Sequence, residues 1–291
     1  MNTTYQSEVG KLKSLLLKSV EDAFVDQLTI NKQWHPLNYL QEPDLERAKQ
    51  EYQQFEMHLG DVERHYLPQN QKVTLDSIYC RDASIATDQG MIICNMGKGA
   101  RVNEPKVERE MFQQLGIPIL GEIVAPGTLE GGDVAWLDQK TLAVGHSYRT
   151  NQEGIEQLRK LVQPLGINVL VVPLPHYKGA NDVFHLMSVL SPVDEDLAVV
   201  FSPLMPMIFR NELLKCGYSL VEVPEEEFES MGCNVLALAP RKCLMVAGNP
   251  KTKASLEEAG AKVFTYKGDE ISIKGGGGPT CLTRPLLRYR Q

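Results

Sequence analysis

Apolar positions along the chain fall into a pattern that repeats. Leu45, Ala48, Tyr52, Phe55 and Leu59 are spaced 3, 4, 3 and 4, which places them on one face of an amphipathic helix. Similar helical segments are predicted near 105–115, 151–165, 206–216 and 251–259, alongside this first one at 44–58. A glycine follows each of the five, at positions 60, 116, 166, 217 and 260, where the left-handed conformation past a helix end favours glycine. Apolar, β-rich runs come next, at 62–67, 117–120, 167–172, 218–223 and 261–266. Thr150-Asn151-Gln152-Glu153 reads as a capping box opening the third helix, and Asn249-Pro250 as an N-cap followed by proline at the first helical position of the fifth.

Successive glycines are 56, 50, 51 and 43 residues apart. Between them lie polar turns at Asp88-Gln89-Gly90, Asp138-Gln139-Lys140, Asp194-Glu195-Asp196 and Pro240-Arg241-Lys242, each followed by an apolar run, as in β-hairpins. The repeating unit is therefore strand, turn, strand, helix, strand. The run 12–17 precedes the first helix without a hairpin, and the strand after Cys281 has no helix behind it, so pairing the two chain ends completes a fifth unit. The expected fold is α/β, a five-bladed propeller of pseudo-fivefold ββαβ modules that leaves few free sheet edges, with 1–291 forming one domain. The segments 31–41 and 275–278 stand outside the pattern.

Composition narrows the function. Hydrophobic residues make up 43% and charged residues 23% of 291, an ordinary globular balance. The formal net charge is −7 and no Lys/Arg run forms a basic stripe, which argues against nucleic acid as a partner and weakly favours cationic ligands. No stretch approaches the ~18 apolar residues of a membrane span, and the N-terminus lacks signal-peptide character, so a cytoplasmic protein is expected. Six cysteines without any Cys-x-x-Cys pair read as reduced thiols, with neither disulfides nor a zinc site.

A ring brings equivalent positions of its modules together around one axis. The residues that begin each hairpin are Asp82, Asp133, His185, Asn234 and Cys281, separated by 51, 52, 49 and 47. A thiol, an imidazole, two carboxylates and an amide are thus expected at one place. A cysteine is a nucleophile only as thiolate, and histidine relays protons near neutral pH. Carboxylates sharing a pocket call for a cation, and a planar guanidinium matches their acceptors while favouring the thiolate.

Arg81-Asp82, Glu130-Gly131-Gly132-Asp133, His185-Leu186-Met187-Ser188 and Gly277-Gly278-Pro279-Thr280-Cys281-Leu282-Thr283 resemble the motif series of the guanidine-modifying pentein superfamily. That group contains dimethylarginine dimethylaminohydrolases, arginine deiminases, arginine dihydrolases and amidinotransferases. The resemblance implies that Cys281 attacks the guanidinium carbon to form a covalent thiouronium, and that His185 protonates the departing amine and then activates water. It further implies that Asp82 and Glu130 hold guanidinium nitrogens, with Glu130 also able to orient His185, while Asp133 shapes the site. Arg101 and Arg149 resemble the pair that binds the substrate α-carboxylate in dimethylarginine hydrolases, and Arg81 and Asn234 complete the expected substrate-binding set, Arg81 reading equally as the partner of a neighbouring carboxylate. No metal or organic cofactor is implied, the partner is a small guanidino compound, and a homodimer is compatible with this reading.

Two departures bear on the reaction. Arginine deiminases typically carry Asp two residues after the catalytic histidine, where this chain has Met187. Dimethylarginine hydrolases often carry Glu-Asp where this chain has Arg81-Asp82, which is closer to the deiminase pattern. The expected function is a hydrolase of a C–N bond in an arginine derivative. Its rivals are an amidinotransferase, a deiminase or dihydrolase, and a non-catalytic binding protein on the same ring. Cys94, Cys216 and Cys243 read as structural, Cys80 and Cys233 are open to either role, and the other five histidines read as non-catalytic. The segment 31–41 reads equally as a lid excluding water or as a packed surface loop, and the 275–278 glycines as allowing backbone to approach ligand.

Overall fold

In a computed structural model, which describes residues 3–289, the chain runs as module after module. Strand β1 (Lys11–Leu17) leads through two short helices, α1 (Val20–Phe24) and α2 (Gln27–Gln33), to α3 (Leu45–Leu59) and β2 (Glu63–Tyr66). The second module is β3 (Ser84–Thr87), β4 (Gly90–Ile93), α4 (Glu104–Gln114) and β5 (Ile119–Glu122). The third is β6 (Val134–Trp136), β7 (Thr141–His146), α5 (Gln152–Val162) and β8 (Asn168–Pro173). The fourth is β9 (Leu190–Asp194), β10 (Leu197–Val200), α6 (Met207–Lys215) and β11 (Ser219–Glu222), with α7 (Glu225–Phe228) after it. The fifth is β12 (Val235–Ala239), β13 (Lys242–Val246), α8 (Pro250–Glu258) and β14 (Lys262–Tyr266), and β15 (Arg284–Tyr289) follows.

Five three-stranded sheets result, and each centres on a strand paired antiparallel on one side and parallel on the other. Ile92 of β4, for example, faces Ile85 of β3, while Met91 pairs in parallel with Ile119 of β5. The parallel partner needs a crossover, which the helix of each module supplies. The first sheet unites the two chain ends: β1 lies antiparallel to β15, with Leu15 opposite Pro285, and parallel to β2. All five predicted glycines have positive φ, between 62° and 89°.

Contacts between modules run in a cycle. β15 touches β3, and the turn before β3 touches the turn before β6. β6 meets the turn before β9, β9 packs on β12, and β12 on β1. The apolar core is shared across these seams: Phe24 and Phe55 of the first module cluster with Leu236 and Leu244 of the fifth. Tight turns immediately precede the inner hairpins, at Cys80–Ala83, Gly131–Asp133 and Leu186–Ser188. The first two turns carry Asp82 and Asp133, and His185 caps the third.

Two local expectations are corrected, the α5 cap and the burial of Cys216, and the open reading of 31–41 is narrowed. The cap of α5 is Asn151, whose side chain accepts from Gly154 N, because Thr150 is buried in the preceding turn and its hydroxyl accepts from Glu130 N instead. The segment 31–41 begins inside α2, and its remainder is tethered, with Leu40 N donating to Lys274 O and Lys98 Nζ to Leu37 O. Cys216 is exposed at the end of α6, whereas Cys94 and Cys243 lie buried in or beside strands. No helix among the described residues is long and apolar enough to cross a membrane.

Candidate active site

Where the hairpin-opening turns converge, a cavity of about 160 Å³ is lined by Cys281, His185, Asp82, Asn234, Arg149 and Met187. Cys281 is half-buried in the turn after the glycine run. Asn234 Nδ2 donates to its Sγ at 3.3 Å, while Asn234 Oδ1 accepts from Thr280 N at 3.0 Å and Thr280 Oγ1 at 2.8 Å. Asn234, expected to bind substrate, thus braces Cys281 and its neighbour. Burial, then the charge of Asp82, raises the Cys281 thiol above its ordinary pKa, against the opposing hydrogen bonds of Asn234 and Thr280. The sulfur rests as a neutral thiol.

His185 Nε2 lies 2.9 Å from Glu130 Oε2, and Nδ1 lies 3.9 Å from Asp82 Oδ1. Burial alone would lower the imidazole pKa, but Asp82, Asp133 and Glu130 raise it from 6.5 to about 9. Burial likewise opposes ionisation of Glu130, yet its bond to His185, with the charges of His185, Arg149 and Arg101, brings it down to about 2. His185 is therefore an imidazolium at neutral pH, oriented by a permanent carboxylate. Glycine at 132 is what admits it: a Cβ there would fall 2.4 Å from His185 Nδ1 and 2.7 Å from Asp82 Oδ1.

The other predicted residues separate. Glu130 is 0% exposed, with Oε1 accepting from Lys98 N and Oε2 from Arg149 Nη1 as well as facing His185, so it orients the imidazole and has no face on the cavity for a guanidinium. Asp133, counted with the substrate-binding residues as one that shapes the site, is turned inward: it accepts from Ser147 Oγ at 2.6 Å and Leu186 N at 3.0 Å and does not line the cavity. Arg81 is 1% exposed and points away from the cavity, where its Nη2 meets both oxygens of Glu8 at 2.9 Å. Of its two readings, substrate contact and a pair with a carboxylate, the structure matches the second, with Glu8 as the counter-charge.

Arg101 borders the cavity, but its donors are taken by Glu104, Asp82 Oδ2 at 2.5 Å and Tyr79 O at 2.8 Å. It cannot also present a fork to a carboxylate. Arg149, held by one 3.3 Å bond to Glu130, retains that capacity. The glycine run 275–278 approaches side chains as well as cavity: a Cβ at Gly275 would lie 1.9 Å from Tyr79 Oη and one at Gly278 2.5 Å from Asn234.

Asp82, Glu130 and His185 offer ligand atoms within 4.8 Å of one another, a spacing that a metal site also uses. Two of those carboxylates already hold the guanidinium groups of Arg101 and Arg149. Positive charge is thus built into the cluster from the chain itself.

The family model described as N,N dimethylarginine dimethylhydrolase, eukaryotic, matches residues 25–288. The chain belongs to this family. An N(G),N(G)-dimethylarginine dimethylaminohydrolase of Streptomyces coelicolor is 32% identical over 219 residues, covering 74% of this chain and 75% of that one. The enzyme of the same name from Pseudomonas aeruginosa is 25% identical over 283 residues, covering 93% and 98%. A crystal structure of a dimethylarginine dimethylaminohydrolase adduct with 4-chloro-2-hydroxymethylpyridine superposes with a TM-score of 0.75 at 25% identity, covering 96% of this chain and all of that one. As a member of this family the protein is a hydrolase of C–N bonds in guanidino compounds, on the α/β pentein fold of five modules.

Several site residues of this family member escape the periodic reading. Asp76, buried in the turn Leu75–Ile78, pairs with Lys98 Nζ at 2.7 Å on the cavity wall. Tyr79 is buried beside it and donates to Ile271 O at 3.0 Å. The available signal was an acid within the apolar run Leu75-Asp76-Ser77-Ile78, six residues before Asp82. Cys80 is resolved as structural: it is buried, and its thiol donates to Leu16 O.

Proposed function

We propose that this hydrolase acts on an N-methylated arginine, with Cys281 as nucleophile and His185 as proton carrier, the whole ring forming one catalytic domain. The observation that carries the reading is Asp82 Oδ1. It is a buried carboxylate oxygen without a hydrogen-bond partner, on the cavity that Cys281 and His185 also line. Leaving such an acceptor unmet is expensive, and a guanidinium N–H satisfies it.

Substrate binding then activates the thiol. The guanidinium charge beside Cys281 stabilises the thiolate, and the thiol proton leaves to solvent. The thiolate adds to the guanidinium carbon. His185, through Nδ1, the nitrogen not held by Glu130, gives its proton to the departing dimethylamine as the C–N bond breaks, leaving a thiouronium on Cys281. The neutral imidazole takes a proton from water as hydroxide adds to the same carbon, and expulsion of the thiolate frees the ureido product, citrulline for an arginine substrate. Arg149, on the cavity lining, supports an α-carboxylate. Met187 offers an apolar wall for methyl groups where a second carboxylate would favour unsubstituted arginine. Six cysteines without a disulfide support a reducing, cytoplasmic setting.

Mass spectrometry of products from arginine, methylated arginines, agmatine and guanidinoacetate, each with and without glycine as acceptor, tests the reading. Citrulline and dimethylamine from the dimethylated substrate are expected, with Cys281→Ser folded but inactive. An amidino group transferred to glycine, or turnover retained in Cys281→Ser, would overturn it.

A further inference from the structure

Each periodic polar residue precedes the first strand of its hairpin, so the hairpin turns mark the end of the ring opposite the cavity. The N-terminal segment lies across that end. Gln6 N donates to Asp88 Oδ1 at 3.0 Å, and Gln6 Nε2 donates to Gln139 O at 2.7 Å, so one residue joins the turns of the second and third modules. Two residues on, Glu8 turns into the ring and meets Arg81, and its Oε1 also accepts from Trp136 N at 3.4 Å. Arg284 and Arg288 are buried in the same region and act electrostatically on Glu8 and on each other. Glu8 thus bonds Arg81 and lies within the field of Arg284 and Arg288, whose own Nη1 groups bond main-chain oxygens.

Arg81 couples this cluster to the reaction centre. Its side chain runs to Glu8, its main-chain N–H donates to Cys281 O at 3.2 Å, and its own carbonyl accepts from Arg284 Nη1 at 3.4 Å. The next residue is Asp82, whose Oδ2 holds Arg101 while Oδ1 faces His185. One short turn, Cys80–Ala83, therefore carries an ion pair on one side and the guanidinium acceptor on the other. We propose that Glu8 is a positioning residue for the reaction: by anchoring Arg81 on the ring axis, it holds the turn that places Asp82 and the Cys281 main chain. Without Glu8, a buried guanidinium lacks its counter-charge, and the neighbouring Asp82 is the carboxylate nearest in the chain to compete for it. The inference rests on Cys281 being the nucleophile.

The test pairs turnover with the pH dependence of Cys281 alkylation by a haloacetamidine. The groups acting on this thiol are Asp82, Arg81, Asn234 and Thr280, with the Tyr79 and Tyr266 hydroxyls, which stay protonated across the assay, and His185 on the same cavity titrates near 9 in wild type and variant alike. In Glu8→Gln, kcat/KM on dimethylarginine should fall about tenfold to a hundredfold. The midpoint of alkylation should move to lower pH, because Arg81 loses its counter-charge and Asp82, drawn toward it, opposes the thiolate less. Glu8→Asp should return the midpoint to the wild-type value and recover part of kcat/KM, which a merely structural role would not predict. If Glu8→Gln does not fold, Arg81→Lys replaces it, and the same loss of kcat/KM is expected because a lysine cannot reproduce the guanidinium's contacts. Variants with native circular dichroism, kcat/KM within about twofold of wild type and an unmoved alkylation midpoint would overturn the proposal while leaving the Cys281 reading intact. Full turnover in Cys281→Ser would instead remove that reading, and this inference with it.

Discussion

Replacing Glu130 with glutamine should move the alkaline limb of the pH–rate profile. Three carboxylates together lift His185 from 6.5 to about 9 against the pull of burial, a net preference for imidazolium of about 3 kcal/mol. Glu130, at 2.9 Å, makes the direct bond. At an effective dielectric constant of about 20, a charge pair at that distance is worth roughly 6 kcal/mol before burial is subtracted, so losing one of the three carboxylates should still matter greatly. With Asp82 and Asp133 remaining, we expect the imidazole to titrate about 1 to 2 pH units lower in Glu130→Gln. His185 must be protonated to release the amine, so activity falls as pH rises through its pKa. Near pH 8.5 the protonated fraction would drop from roughly three quarters to about a tenth. The assay is kcat/KM from pH 6 to 10, with the His185 imidazole followed by NMR over the same range. An alkaline limb that stays near pH 9 in the variant would refute the assignment of Glu130 as the partner that keeps His185 charged.

Other expectations follow from the same geometry. Gly132→Ala would put a Cβ 2.4 Å from His185 Nδ1, and displacing the imidazole should lower kcat by about a hundredfold while the melting temperature changes little. Steady-state kinetics beside a thermal melt would check this. Glu108 is raised to about 8, first by burial and against its bond from Ser84 Oγ. A carboxyl raised on folding stabilises most below its unfolded pKa near 4.5, and that stability is lost as pH rises toward 8. Glu108→Gln should therefore flatten the decline of the urea midpoint between pH 5 and 8, and gain up to a few kcal/mol at pH 8. An unchanged slope would count against it.

The five-module reading survives in the structure because it rests on local rules. Amphipathic spacing on α3, glycines at the helix ends and polar hairpin turns each act within a few residues, and their recurrence near every 50 positions carries the symmetry. Even the pairing of β1 with β15 followed from counting strands and helices in an incomplete unit. The convergence of Asp82, His185 and Cys281 came from the same count, since residues at equivalent places in a cyclic array must meet near the axis.

What a side chain faces once it arrives was decided only by the tertiary structure. Arg81 and Asp82 are adjacent in sequence, yet one turns to Glu8 and the other to the cavity. Arg101 is occupied by Glu104, three residues away, and by Asp82 from an earlier turn, while Asp133 joins Ser147 to the backbone of Leu186. Periodicity assigns a residue to a place on the ring, but a buried charge takes whichever partner crosses that place from elsewhere in the chain. Glu8 is the clearest case: it lies 73 residues from Arg81, outside every repeat, and no spacing rule connects them.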